Sequence, residues 1–358
     1  MIEQVQDLEP ETLARYGAVI DVRSPAEFAA DRIPGAINLP VLSNEERAEV
    51  GTIYVRESRF RARRIGAAHV ARNIARHLDS ALAGKDAKFR PLVYCWRGGM
   101  RSNAMAAVLS QIGWRVGVLE GGYKTWRRSV VSMLFDSAAP LNLVLVDGET
   151  GAGKTEVLNQ MAAHGVQIVD LEELAAHRGS VFGGRPSREQ PTQKFFESLL
   201  FEKLRRLDQS AAIAVEAESA KIGRLNIPKR FWSAMLAAPR IQIAAAVDAR
   251  ANHIVQTYAD VIESPESLAS AIERLRPFHS KETIDAWMRL AEGGSYRLLA
   301  ARLMREHYDP LYDRARKRSS RRPIGVINIE RFDKIGIDAA AREGARLIMA
   351  MSTRSPRG

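Results

Sequence analysis

Cysteine and long hydrophobic runs are both scarce in this sequence, and each scarcity excludes a class of protein. The 358 residues include a single cysteine, Cys95, which excludes an intramolecular disulfide and a zinc site built on several thiolates. No apolar run approaches the ~20 residues that span a bilayer, and residues 1–4 lack the basic-then-apolar pattern that opens a signal peptide. We therefore expect a protein of the reducing cytoplasm with no membrane partner.

Acidic residues are too few to balance the basic ones. Against 42 Asp and Glu stand 53 Lys and Arg, which gives a formal net charge of +11 at pH 7. Such an excess favours polyanionic partners, nucleic acid above all, because neutralising phosphates releases their counterions. A generally basic proteome or an effect on solubility is the alternative. The candidate contacts form two clusters, with Arg56, Arg59, Arg61, Arg63 and Arg64 in the first, and Arg314, Arg316, Lys317, Arg318, Arg321 and Arg322 in the second.

Short β-branched runs alternate with longer helical patterns along the chain, which predicts a parallel α/β architecture. The length is too great for one ordinary core and fits two domains. We place the first domain at residues 1–130, a linker at 131–140 and the second domain at 141–358, where residues 250–307 have a mostly helical pattern. The predicted strands are residues 18–22, 92–94, 116–119, 141–146, 166–169, 211–215, 241–247 and 325–329.

The only thiol, Cys95, ends an apolar strand and opens a glycine-containing loop that leads directly into a helical pattern. This arrangement turns backbone N–H groups inward and forms an anion-binding cradle, whose field also lowers the pKa of a thiol. Arg101 closes the loop and is expected to hold an oxyanion. We therefore predict catalytic roles for Cys95 and Arg101, with a buried structural cysteine as the alternative. The anion loop itself comprises Trp96, Arg97, Gly98, Gly99 and Met100.

Three further motifs resemble the rhodanese family, at residues 21–28, 33–40 and 119–123 with Trp126. They occur in the family's order, and the resemblance implies a rhodanese-like parallel sheet over residues 1–130. Arg32 stands where the family often has histidine. Five residues separate Cys95 from Arg101, as in rhodanese-related phosphatases, which implies a larger, phosphate-like anion in the loop.

Residues 148–155 match the pattern G-x-x-x-x-G-K-[ST] between a predicted strand and a predicted helix, the setting that a P-loop requires. Backbone N–H groups of such a loop cradle a diphosphate, Lys154 neutralises its outer oxygens, and the Thr155 hydroxyl reaches a Mg²⁺ ion. A metal or acid/base role is predicted for Asp170 or Glu216, with helix capping as the alternative for each. The predicted diphosphate site comprises Gly148, Gly151, Gly153, Lys154 and Thr155.

A rhodanese-like domain followed by a P-loop NTPase-like α/β domain with helical additions resembles the tRNA 2-selenouridine synthase family. The resemblance covers essentially the whole chain. Its motifs are residues 95–102, 170–172, 177–180, 182–183, 196–197 and 307–312, together with Gln193. At Ala217 the chain departs from a more acidic segment of that family.

The resemblance implies a two-step exchange at the wobble uridine, position 34, of a tRNA that carries 2-thiouridine. Geranyl diphosphate alkylates the sulfur; selenophosphate then supplies selenium at C2, and the geranylated sulfur leaves as a thiol. Cys95 either carries the selenium or assists its transfer. Phe182, Phe195 and Phe196 are candidates for the geranyl site, or equally for helix core.

The implied partners are tRNA and an enzyme that supplies selenophosphate. We expect a monomer with no tightly bound cofactor, apart from Mg²⁺ at the P-loop. Two alternatives remain open. One is a P-loop ATPase whose rhodanese-like domain is a docking module, and the other is a rhodanese-related phosphatase.

Overall fold

The computed structural model describes residues 1–185, 188–318 and 322–352, which form two compact units. The N-terminal unit comprises Met1–Ser137 and Thr192–Glu202, and the C-terminal unit comprises Ala138–Pro191 and Lys203–Gly358. The predicted division had placed residues 192–202 in the second domain. Much of the predicted linker, up to Asp136, is helical.

The N-terminal unit alternates strands and helices, as the sequence pattern predicts. The helix Tyr123–Val131 continues as a π-helical turn, Ser132–Asp136. The strands are β1 (Ile2–Val5), β2 (Ala18–Asp21), β3 (Ile37–Asn38), β4 (Pro91–Tyr94) and β5 (Val116–Leu119). The helices are α1 (Pro10–Leu13), α2 (Pro25–Ala30), α3 (Asn44–Arg56), α4 (Arg59–Asp79), α5 (Met100–Gln111) and α6 (Tyr123–Val131).

All five strands of this unit pair in parallel in the order β1-β5-β4-β2-β3. The central strands β4 and β5 are buried along their whole length, since helices cover both faces of such a sheet. The core beneath them includes Ile20, Val93, Met105, Leu109 and Val118. Because Cys95 directly follows β4, the sheet places it at the carboxyl edge, where parallel α/β sheets bind ligands.

The segment Thr192–Glu202 packs with this unit through a buried polar network. Asp31 accepts hydrogen bonds from the Tyr123 hydroxyl (2.7 Å) and the Ser198 hydroxyl (2.8 Å), and Ser198 accepts one from the Trp126 indole (3.0 Å). The rings of Trp126 and Phe201 meet edge to face at 5.0 Å. These long-range contacts decide to which unit the segment belongs, and sequence spacing does not reveal them.

The C-terminal unit begins with the P-loop strand and continues into a mostly helical second half. Its strands are β6 (Leu143–Gly148), β7 (Gln167–Val169), β8 (Ile213–Glu216), β9 (Lys221–Ile222), β10 (Leu225–Asn226), β11 (Arg240–Ala244) and β12 (Gly325–Asn328). Its helices are α7 (Lys154–Met161), α8 (Leu171–Ala175), α9 (Gln193–Leu204, of which 193–202 cluster with the N-terminal unit), α10 (Lys229–Ala237), α11 (Val247–Thr257), α12 (Ala259–Ile262), α13 (Pro265–Glu273), α14 (Lys281–Glu292), α15 (Tyr296–Leu303), α16 (Asp309–Arg318) and α17 (Lys334–Ser352). Single helical turns occur at Ala162–His164, Arg276–Phe278 and Met304–Tyr308.

The main sheet of this unit is also parallel, in the order β12-β11-β6-β8-β7. Helices α7 and α17 pack against it, with Val144, Leu158, Ile243 and Ile348 in the shared core. A second core, around Trp287 and Ile272, joins the helices of the second half. The predicted α/β class with helical additions is confirmed. Within the described residues, no helix has the length and apolar character needed to cross a membrane.

Candidate functional site

The loop after β4 surrounds the Cys95 sulfur with hydrogen-bond donors. The Gly99 backbone N–H lies 3.2 Å from Sγ, and the Ser102 hydroxyl lies 3.3 Å from it. Burial alone raises the pKa of the Cys95 thiol. The Ser102 hydroxyl and the N–H groups of Arg97, Ser102 and Gly99 outweigh that effect and hold the pKa below its ordinary value. The thiolate is therefore more populated at neutral pH than in an ordinary cysteine.

We expect Ser102→Ala to move the pH profile of Cys95 alkylation to higher pH, because it removes the strongest of the contacts that lower the pKa. Alkylation by iodoacetamide should be several-fold slower at pH 7 and should approach the parent rate at high pH. Ser110→Ala, the same change on the same helix, is the matched control, since the Ser110 hydroxyl accepts from the N-terminal ammonium instead. Coinciding profiles for Ser102→Ala and the parent would contradict this role.

Gly122 lets helix α6 approach this loop. Its φ of +58° is unfavourable for residues with a side chain, and a Cβ there would lie 2.3 Å from the Cys95 carbonyl oxygen. The Tyr123 N–H donates to that carbonyl at 2.8 Å. The start of α6 therefore supports the loop through this hydrogen bond, and Gly122 of the Gly121-Gly122 motif permits the close approach.

Arg101, the predicted oxyanion ligand, is held by a carboxylate in this structure. Its guanidinium donates to Glu27 at 2.7 and 3.3 Å. Burial alone raises the pKa of Glu27, but Arg101 holds it below its ordinary value, so the pair is ionic. Glu27 was not predicted as a site residue; its place in the motif at residues 21–28, together with the charge of Arg101, is the signal that identifies it.

The remaining loop residues differ in their environments. Trp96 is half-buried with its ring 5.1 Å from that of Tyr123, and the buried Arg23 guanidinium lies 4.1 Å from the Tyr123 ring centroid. Arg97 and Met100 are exposed. Trp96, Tyr123 and Arg23 therefore pack together next to Cys95, whereas the side chains of Arg97 and Met100 face solvent.

In the C-terminal unit, the predicted P-loop joins β6 to α7 as expected. The Lys154 amine donates to the carbonyl oxygens of Gly148 (3.0 Å) and Glu149 (3.3 Å), and it lies 5.5 Å from the Tyr312 ring centroid. Burial alone lowers the pKa of Lys154, but Tyr312 and the nearby glutamates raise it above its ordinary value. Lys154 therefore carries a positive charge at the base of the loop.

A pair of glutamates lies beside the P-loop. The Thr155 hydroxyl donates to Glu172 at 3.0 Å, and Glu172 shares a hydrogen bond with Glu218. Burial and the charge of Glu172 raise the pKa of Glu218 to about 8, and burial also raises the pKa of Glu172, so the pair favours sharing one proton. Gly179, at φ +68°, permits this packing, because a Cβ there would lie 2.4 Å from Glu218.

The two acidic residues predicted for this role lie nearby and have other contacts. Asp170 caps helix α8 by accepting from the Glu173 N–H at 2.7 Å. Glu216 is fully buried and accepts from the N–H groups of Leu171 (3.0 Å) and Glu172 (3.2 Å). Burial and the charge of Asp170 raise its pKa well above the ordinary value. The carboxylate in contact with Thr155 is Glu172, which lies in the motif at residues 170–172 but was not singled out.

A cavity of about 720 Å³ opens over the P-loop, within the range of small-molecule sites. Lys154, Thr155 and Arg178 line one part of it. Trp232, Met235 and Leu236, at helical spacing on α10, line the cavity as an apolar wall, and Leu145 and Ile254 are also among its lining residues. Sequence reasoning missed this wall, because helix α10 shows only an ordinary amphipathic pattern.

A second, apolar cavity of about 60 Å³ lies beside Thr150 and is lined by Phe182, Tyr258 and Leu268. It is smaller than the roughly 150 Å³ that admits a benzene ring. Of the three phenylalanines proposed for a prenyl site, Phe182 lines this small cavity. Phe195 and Phe196 belong to the N-terminal unit, where the Phe195 ring lies 3.6 Å from the Arg32 guanidinium and Phe196 is fully buried.

The first basic cluster lies at the tip of the α3–α4 hairpin, and all five of its arginines are exposed. In the second cluster, Arg314 is exposed on α16. The side chains of Arg316, Lys317 and Arg318, and the whole of Arg321, lie outside the described residues, so their role stays a prediction.

Known protein families match parts of both units. A family described as "Rhodanese-like domain" matches residues 3–129, and one described as "tRNA 2-selenouridine synthase AAA domain" matches residues 141–282. Similar proteins include the tRNA 2-selenouridine synthase of Cupriavidus pinatubonensis, 32% identical over 82% of this chain and 87% of the relative. That of Chromohalobacter salexigens is 31% identical over 85% of this chain and 90% of the relative, and that of Psychromonas ingrahamii is 32% identical over 76% and 74%.

Proposed function

This chain belongs to the tRNA 2-selenouridine synthase family, and we propose that it replaces the sulfur of a wobble 2-thiouridine with selenium in two steps. In the first, the thiouridine sulfur attacks C1 of geranyl diphosphate, so that a C–S bond forms and the C–O bond to diphosphate breaks. In the second, the selenium of selenophosphate adds at C2 of the uridine, the C–S bond breaks to release geranyl thiol, and water cleaves the P–Se bond to release phosphate. Alkylation makes the sulfur a better leaving group.

The cavity over the P-loop is the observation that carries the first step. It combines a charged end, with Lys154 and Thr155, and an apolar wall, with Trp232 and Leu236. A ligand with a diphosphate head and a hydrocarbon tail matches both parts. Negative charge grows on the departing diphosphate, and fixed positive charge at the loop stabilises it most in the transition state.

The residues at the P-loop also fit a Mg²⁺ ion. The Thr155 hydroxyl and the Glu172 carboxylate supply the hard oxygen ligands that this ion prefers, and substrate phosphates and water commonly complete its shell. Bound there, Mg²⁺ would neutralise part of the diphosphate charge. The hydrogen bond between Glu218 and Glu172 keeps the two carboxyls together beside Lys154.

The loop around Cys95 supports the second step. Its inward N–H groups and lowered thiol pKa suit a tetrahedral anion such as selenophosphate next to a nucleophile. Arg101, now paired with Glu27, lies at the start of α5, where a bound anion would compete for its guanidinium. We assign anion binding to the loop and the thiolate to the transfer of selenium.

If the apolar wall holds the geranyl chain, a mutation in it should weaken the binding of geranyl diphosphate. Trp232→Ala should raise the KM for geranyl diphosphate about tenfold and leave kcat nearly unchanged, because it removes contact made equally in the ground and transition states. Binding of inorganic diphosphate should not change. Phe195→Ala, in the N-terminal unit, is the control and should behave as the parent enzyme. An unchanged KM for Trp232→Ala would show that the geranyl chain does not bind against Trp232.

The whole proposal is tested by mass spectrometry of nucleosides from bulk tRNA of a deletion strain. We expect 2-selenouridine to be absent there and restored by the intact gene. Geranylated 2-thiouridine should accumulate when selenium is withheld from the restored strain. Unaltered selenium nucleosides in the deletion strain would instead favour an ATPase or a phosphatase.

A further inference from the structure

The α3–α4 hairpin ends in a tip, residues 54–61, that exposes large apolar side chains. Val55 is 82% exposed, Phe60 77% and Tyr54 43%. Single exposed apolar residues are common, but three within seven positions concentrate exposed apolar surface at one turn of the chain. The tip is anchored on both sides, because Ile53 and Ala62 are buried and Ser58 caps α4 by accepting from the Arg61 N–H.

The tip is strongly basic. The carboxylate of Glu57 pairs with Arg61 at 2.5 Å. Arg56, Arg59, Arg63 and Arg64 have no carboxylate partner within the described part of the chain. Four positive charges therefore lie within a few residues of the exposed rings along the chain, and the Arg59 guanidinium lies 5.6 Å from the Tyr54 ring centroid.

We propose that this hairpin tip binds an unpaired stretch of RNA, with a base stacked on Phe60 and the arginines on the flanking phosphates. Bases in an A-form duplex lie in a deep, narrow groove that such side chains do not reach, whereas unpaired bases stack on exposed aromatic rings. Beyond the tip, the exposed face of α4 carries alanines and arginines, among them Ala67, Ala68 and Arg72. That face lacks the continuous apolar stripe of a membrane-binding helix. This inference rests on the proposed function, in which the partner is RNA, and it adds that the hairpin tip recognises a single strand.

The test is fluorescence anisotropy with two labelled probes, a single-stranded oligouridylate and a duplex RNA of the same length. Phe60→Ala and Phe60→Leu should each weaken single-strand binding about tenfold, and Phe60→Trp should restore it, because leucine keeps the apolar surface but lacks a ring face. Duplex binding should change little. Phe135→Leu, at an exposed phenylalanine of the same unit, is the matched control.

Charge is tested separately. The double change Arg63→Gln and Arg64→Gln should flatten the slope of log K against log salt by about 0.7 for each lost phosphate contact, whereas Phe60→Leu should leave the slope unchanged. Parent-like single-strand binding by both Phe60→Ala and Phe60→Leu would overturn the inference, as would tighter binding of phosphatidylserine vesicles than of RNA. A parent protein that binds neither RNA would instead contradict the proposed function itself.

Discussion

Lys154→Ala is expected to reduce geranyl transfer to 2-thiouridine tRNA to background. Lys154 is the cation at the base of the P-loop, where its amine donates to the carbonyl oxygens of Gly148 and Glu149. Loss of one preorganised donor in a shielded site commonly costs on the order of 10²–10³-fold in kcat, and loss of a full charge beside a departing diphosphate should cost at least as much. The measurement is single-turnover formation of geranyl-2-thiouridine, followed by mass spectrometry.

Two controls separate this effect from misfolding. Lys334→Ala removes an exposed lysine of the same unit and should leave transfer unchanged. Lys154→Ala should also still convert tRNA that is supplied already geranylated, because the second step does not use the diphosphate. The assignment would fail if Lys154→Ala transferred geranyl normally. Robust ATP turnover stimulated by tRNA, without prenyl transfer by the parent enzyme, would favour the ATPase alternative.

Cys95→Ser is expected to give the opposite pattern, with no 2-selenouridine and accumulation of geranyl-2-thiouridine. A serine hydroxyl in the same cradle is not ionised at neutral pH, so selenium incorporation should fall by at least about 10³-fold. Geranyl transfer should continue, because the P-loop belongs to the other unit. Arg101→Ala should show a weaker defect of the same kind, since it removes an anion ligand but leaves the nucleophile.

A conservative variant and a complementation experiment test the role of Cys95 further. Ser102→Ala retains the thiol and should keep part of the selenium transfer, with its optimum moved to higher pH, because it raises the pKa of Cys95. Mixing Cys95→Ser enzyme with Lys154→Ala enzyme should restore the complete reaction if the geranylated tRNA is released between steps. Near-parent selenium incorporation by Cys95→Ser alone would show that the thiol is not catalytic.

The strands and loops that the sequence predicted correctly are those encoded by short contiguous motifs. The eight strand predictions correspond to observed strands, and β5 (Val116–Leu119) has the predicted bounds. Strand β1 was missed because Ile2–Val5 is short, half polar and pairs only with β5 at the edge of the sheet. The P-loop and the Cys95 loop were found because each needs glycines and a charged side chain at set spacings, which the chain order displays directly.

By itself, the sequence determined the parallel α/β class, the positions of the Cys95 loop and the P-loop, and the basic character of the protein. Tertiary structure alone decided which carboxylate touches Thr155, that Arg101 is paired with Glu27, and that Thr192–Glu202 packs with the N-terminal unit. It also decided that Trp232 lines the cavity over the P-loop. The physical reason is that the backbone geometry of these loops depends on residues adjacent in the sequence. The partner of a side chain depends instead on packing between elements that are distant in the sequence.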